Sequence, residues 1–155
     1  MTVTCRDNRT MDLLSWEPPQ VTVGYNQDVA GRGALDSKIA RVLARALRDA
    51  KDDGKSRVEI AADMSRQLGR TISEDVINKW ASEASGAHRI PLDAFIALIR
   101  ATAAEELLGF IPEMFGFAVV PEKYAEIIEM HLLEEHEKDI AARKAALVSR
   151  LGSRR

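Results

Sequence analysis

His88 and Arg89 stand side by side in the stretch 76–93, VINKWASEASGAHRIPLD, where a loop of small residues separates two segments of helical apolar spacing. An imidazole and a guanidinium in a short loop form a basic pair that suits recognition rather than bond-making, or a simple cap or ion pair at the surface. Other reactive side chains offer less. Cys5 is the single cysteine; it has no thiol with which to form an internal disulfide, so a reducing cytoplasm is expected. No motif supplies it with the His and Asn that a nucleophile needs. His131 and His136 are five positions apart. On a helix they point about 140° from one another, so they do not grip one ion, and the zincin spacing is absent. No triad, acid pair or phosphate-cradling glycine loop stands out. No metal, cofactor or small-molecule substrate is expected, and the chain does not read as an enzyme.

The chain has 155 residues, enough for one domain plus extensions, and a formal net charge of -2. The charge is sorted along it. Residues 37–72 carry nine bases against five acids, residues 121–139 two bases against seven acids, and residues 140–155 five bases and no acid. Such sorting suits a protein with one face for a polyanion and another for something else, although each run also fits a solvated helix face. No run approaches the roughly 20 apolar residues that span a bilayer, and MTVTCRDNRT carries charge where a signal peptide would be apolar.

Five helices and a long sixth are expected to position the basic loop. Residues 1–34 hold Pro18, Pro19 and three glycines without sustained periodicity and read as a flexible arm, with Trp16 available for docking. Asp36 is the expected cap of a first helix buried through Ile39, Val42, Leu43, Ala46 and Leu47, ending at Gly54. Ser56 and Glu59 form a capping box for a second helix, with Ile60, Ala61, Met64 and Leu68 inward and Gly69 as its stop. Ser73 caps a third, with Val76, Ile77 and Trp80 apolar. Pro91 suits the first turn of a fourth, with Phe95, Leu98 and Ile99 inward. A fifth covers residues 105–114 despite Pro112. Residues 116–120, GFAVV, read as a brief extended piece. From Pro121 a final helix runs to about Leu151. Its Tyr124, Ile127, Ile128 and Leu132 suit packing on the domain, while Leu133, Ile140 and Leu147 recur every seven residues, with His136 and Lys144 interrupting the seam.

Ile77-x-x-Trp80, Gly86, Arg89-x-Pro91 and the amphipathic helix that follows resemble the Cro/C1-repressor-like (Xre-type) helix-turn-helix family over roughly residues 37–102. The whole chain, with its trailing LLGFIPEMFGFAVV, also resembles small regulatory proteins of Mu-like transposable phages and prophages. The first resemblance implies a λ-repressor-like bundle whose third helix enters the major groove while the following loop runs beside the phosphates. It makes Ser73, Glu74, Asp75, Asn78, Lys79 and Ser82 candidates for base reading. Lys55, Arg57, Arg70, His88 and Arg89 become candidates for phosphate contact. Two departures stand out. Ala61 and Gly69 are eight apart, so the second helix reads one turn longer than the family's. Glu74 and Asp75 favour the helix dipole but repel phosphate.

The sequence therefore predicts an all-α protein. Its arm covers 1–34, a helix-turn-helix domain 35–115, and a connection with a long dimerising helix and basic tail 116–155. The expected function is sequence-specific binding of double-stranded DNA by a cytoplasmic homodimeric regulator, with Leu133, Ile140 and Leu147 at the dimer seam and no membrane involved. The alternative is a non-catalytic protein-interaction module that keeps the scaffold and has lost DNA binding.

Overall fold

The computed structural model describes residues 21–152, so Cys5, Trp16 and the tail pair Arg154 and Arg155 lie outside the described residues. It is all-helical. The elements are α1 (Gln27–Ala30), α2 (Leu35–Asp52), α3 (Arg57–Leu68), α4 (Glu74–Trp80), α5 (Leu92–Thr102), α6 (Leu107–Glu113), a 3-10 turn (Glu122–Tyr124) and α7 (Ala125–Gly152). Helices α2 to α6 enclose one core, and α7 leaves it.

Local chemistry sets most of the boundaries. Ser56 and Glu59 make the reciprocal capping box at the start of α3, with the Ser56 amide donating to the Glu59 carboxylate at 2.8 Å. Gly54 and Gly69 take the left-handed backbone that ends α2 and α3, at φ +88° and +64°. Ser73 caps α4 by accepting from the Val76 amide. Two expected caps fall elsewhere. Ala34 precedes α2 without a side-chain bond, and Asp36 sits inside the first turn, where its carboxylate accepts from the Ser37 amide. Pro91 is the cap of α5 rather than its first residue, because its ψ of 155° is still extended.

The core is built from Leu43, Leu47, Ile60, Met64, Ile77, Leu98 and Leu107, all fully buried, with Trp80 at its margin. Burial of each such aliphatic side chain contributes about 1.5–3 kcal/mol. Helix α5 presents Ala94, Ala97 and Ala101 to this core, while Phe95 and Ile99 pack at its edge. The small residues let α5 approach α3 closely.

Residues 21–34, the described end of the expected flexible arm, are tied to the domain. Val23 bridges Val119 in antiparallel fashion through a 2.7 Å bond, so the extended piece at 116–120 has a strand-like partner. Tyr25, Val29 and Ala30 pack on the core. Arg41 on α2 then clamps the segment: its Nε donates to the Ala30 carbonyl at 2.7 Å and its Nη2 to the Arg32 carbonyl at 2.6 Å.

Helix α7 departs from expectation in one respect. Ile127, Ile128 and Leu132 were expected against the domain and are exposed, with Tyr124 alone half-buried. The 3-10 turn after Pro121 redirects the chain, so α7 extends away over 28 residues, about 42 Å.

Candidate nucleic-acid interface

Helix α4 has seven residues and two faces. Ile77 and Trp80 are sunk in the core. Ser73, Glu74, Asp75 and Lys79 are exposed. The turn that delivers α4 is pinned by a residue the apolar pattern does not single out. Ser65 Oγ accepts from the Ile72 amide at 2.8 Å and lies 2.7 Å from the Ala61 carbonyl, to which it donates. Ile72 itself is buried. The α3–α4 unit is thus held by an apolar anchor and a hydroxyl, and the outer face of α4 is exposed among the described residues.

The expected base readers are not all presented. Ser73 spends its hydroxyl on the Val76 amide. Asn78 is half-buried, and its side-chain oxygen accepts from the Arg57 guanidinium. Ser82 is half-buried beyond the end of α4. Glu74, Asp75 and Lys79 remain as the open polar groups. Lys79 has no ion pair among the described residues, and it shares its helix with two carboxylates.

The expected phosphate contacts are mostly paired within the chain. Lys55 Nζ lies 2.6 Å from Asp63, which also meets Arg66. Lys55 lowers the Asp63 pKa from its ordinary value by hydrogen bonding. Arg70 lies 2.7 Å from Asp93 and lowers that carboxyl in the same way. Arg57 is committed to Asn78. These bases were read from sequence as a surplus of charge. The tertiary fold places an acid or amide opposite each one, which a linear count does not reveal.

The quoted loop behaves differently. His88 and Arg89 are both exposed, and Arg89 is only loosely associated with Asp36, at 3.9 Å. They line a shallow cleft of about 310 Å³ floored by Ile39, Ala40 and Trp80. Arg41 stabilises one lip, since its Nη1 meets Glu83 at 2.7 Å. The same guanidinium that clamps the arm therefore holds the segment leaving α4. Its position on α2 gives no hint of that role beyond a basic residue off the apolar stripe.

Among the described residues no group of three His, Cys, Asp or Glu is placed to hold a metal ion, and no helix is long and apolar enough to cross a membrane. His131 pairs with Glu135 at 3.5 Å, one turn along α7. No family model, curated protein or solved structure matches the chain.

Proposed function

We propose that the chain is a sequence-specific double-stranded DNA-binding regulator that acts as a homodimer, with α4 as the element offered to the major groove. One observation carries this reading: α4 is anchored by Ile77 and Trp80 while Ser73, Glu74, Asp75 and Lys79 face outward, and the exposed pair His88 and Arg89 follows it. A short helix braced from behind and flanked by a cationic loop is the geometry by which helix-turn-helix proteins probe base edges. The resemblance of Ile77-x-x-Trp80, Gly86 and Arg89-x-Pro91 to the Xre-type pattern supports the same reading. Lys79 supplies a donor for guanine, Glu74 and Asp75 acceptors for cytosine, and Arg89 and His88 the phosphate contacts. The proposed role is cytoplasmic occupancy of DNA, without catalysis or cofactor.

The test is enrichment from a randomised duplex library, followed by titration of the enriched site at two salt concentrations. A selected sequence bound with salt-sensitive affinity supports the reading. Failure to enrich any sequence, or binding indifferent to salt, overturns it.

A second reading is favoured by the ion pairs. With Lys55, Arg57 and Arg70 engaged inside the chain and two carboxylates on α4, the exposed face is poor in free cations. That pattern suits a protein-interaction module on a helix-turn-helix scaffold. Replacing Lys79 and Arg89 together by Ala separates the two: loss of DNA retention with folding intact supports DNA binding, whereas retained capture of a protein partner supports the module.

A further inference from the structure

Helix α7 exposes an apolar seam that none of the described residues covers. Leu133, Ile140 and Leu147 are each half exposed or more, as are Met130 and Leu151. Taken with the residues one step away on the same side, the seam reads Met130, Leu133, Glu137, Ile140, Lys144, Leu147, Leu151. The intervals alternate between three and four residues, which is the spacing of a two-stranded coiled coil. The order also has a symmetry. From either end it runs apolar, apolar, charged, Ile140, oppositely charged, apolar, apolar.

We infer that a second copy of this chain covers the seam, with the two α7 helices antiparallel about a two-fold axis near Ile140. This specifies the self-association within the proposed function and does not depend on DNA binding. Charge decides the orientation. A parallel pair would set Glu137 beside Glu137 and Lys144 beside Lys144, in positions flanked by apolar residues where like charges repel most. An antiparallel pair brings Glu137 towards Lys144 of the second copy, twice by symmetry.

The rest of the helix follows the same division. Residues 125–139 carry Glu126, Glu129, Glu134, Glu135, Glu137 and Asp139 against Lys138. Residues 140–152 carry Arg143, Lys144 and Arg150 and no acid. Only an antiparallel pair lays each acidic half along a basic one. It also brings Leu133 near Leu147 of the second copy and Met130 near Leu151. The seam from Met130 to Leu151 supplies about three heptads, and the two globular domains would stand at opposite ends of the rod, outside the pairing.

The test uses the full chain with Cys5→Ser as background. Leu133→Cys and Leu147→Cys are made separately, mixed and oxidised. The inference expects the mixed cross-link between positions 133 and 147, with little of either self-cross-link. Predominant 133–133 and 147–147 products would overturn it, and so would a monomer by sedimentation at tens of micromolar. Charge reversal gives an independent reading. Glu137→Lys alone should weaken self-association by about tenfold or more, and adding Lys144→Glu to the same chain should restore it. A parallel or unrelated interface shows no such rescue. Because α7 is exposed along its length among the described residues, these variants, made with Trp16→Phe, leave the Trp80 fluorescence of the domain unchanged. A correct cross-link with no DNA selected would leave this inference standing while removing the DNA-binding reading; DNA selected by a monomer would do the reverse.

Discussion

The guanidinium of Arg57, in the first turn of α3, donates to the side-chain oxygen of Asn78 in the middle of α4. A phosphate candidate and a base-reading candidate are thereby spent on each other. Their bond fixes how α4 projects from α3, together with the Ser65 hydroxyl at the turn. Arg57→Ala and Asn78→Ala should each lower stability by about 1 kcal/mol. The double variant should lose little more than either single one, because both remove the same contact. Urea melts of the four proteins check this, and additive losses would show that the two side chains act separately.

Gly109, within α6, faces the arm at close range. A Cβ built there would lie 2.2 Å from the Val23 carbonyl oxygen and 2.6 Å from the Gly24 Cα. Those are backbone atoms that a rotamer change does not move. Gly109→Ala should therefore displace residues 22–25 and cost on the order of 1–3 kcal/mol. Tyr25 reports the event. Burial, and then the nearby Asp49 and Glu106 carboxylates, push its phenol well above the ordinary tyrosine range. In a Tyr124→Phe background, adding Gly109→Ala should shift the alkaline titration of Tyr25 to lower pH.

Acid should loosen the α2–α5 scaffold. The Ser56 amide and hydroxyl hold Glu59 below its ordinary pKa, Lys55 does the same for Asp63, and Arg70 for Asp93. A carboxyl whose folded pKa is depressed stabilises the fold above its unfolded pKa, and that contribution is lost as pH falls through the folded value. The melting temperature should thus be level near neutrality and fall once pH drops below the ordinary carboxylate range. Glu59→Gln with Asp63→Asn and Asp93→Asn should flatten that fall and lower the neutral-pH plateau. All three groups lie at the surface, so the change should be modest and reduced by salt.

Much of the helical scaffold was legible because its signals are local. Ser56 with Glu59, Gly54, Gly69 and Ser73 mark ends by bonds made within a few residues, and the periodic apolar positions of α2 reappear as its buried face. What was not legible depends on residues distant in sequence. The docking of Val23 on Val119 and the clamp from Arg41 to Ala30, Arg32 and Glu83 join segments that no spacing rule connects. Ala103 ends α5 in the left-handed region at φ +56°, without the glycine that would have announced it. The candidate interface was legible in part. Trp80 is core and Lys79, His88 and Arg89 are exposed, but Lys55, Arg57 and Arg70 looked available because Asp63, Asn78 and Asp93, which engage them, meet them only in three dimensions.

Glu74 and Asp75 decide between the two functional readings, because their effects on folding and on DNA oppose each other. In the first turn of α4 both carboxylates complement the helix dipole. Glu74→Gln with Asp75→Asn should therefore lower thermal stability slightly. If α4 enters the groove, the same change removes two negative charges from the contact and should raise affinity for random duplex several-fold, with a steeper dependence on salt. Fluorescence anisotropy on an enriched and a scrambled duplex then separates the cases. A gain on both sequences means the acids only repel. A gain on the scrambled duplex with a loss on the enriched one means that a carboxylate accepts from cytosine N4. No change on either duplex means that α4 does not meet DNA, and its exposed acids belong to a protein contact.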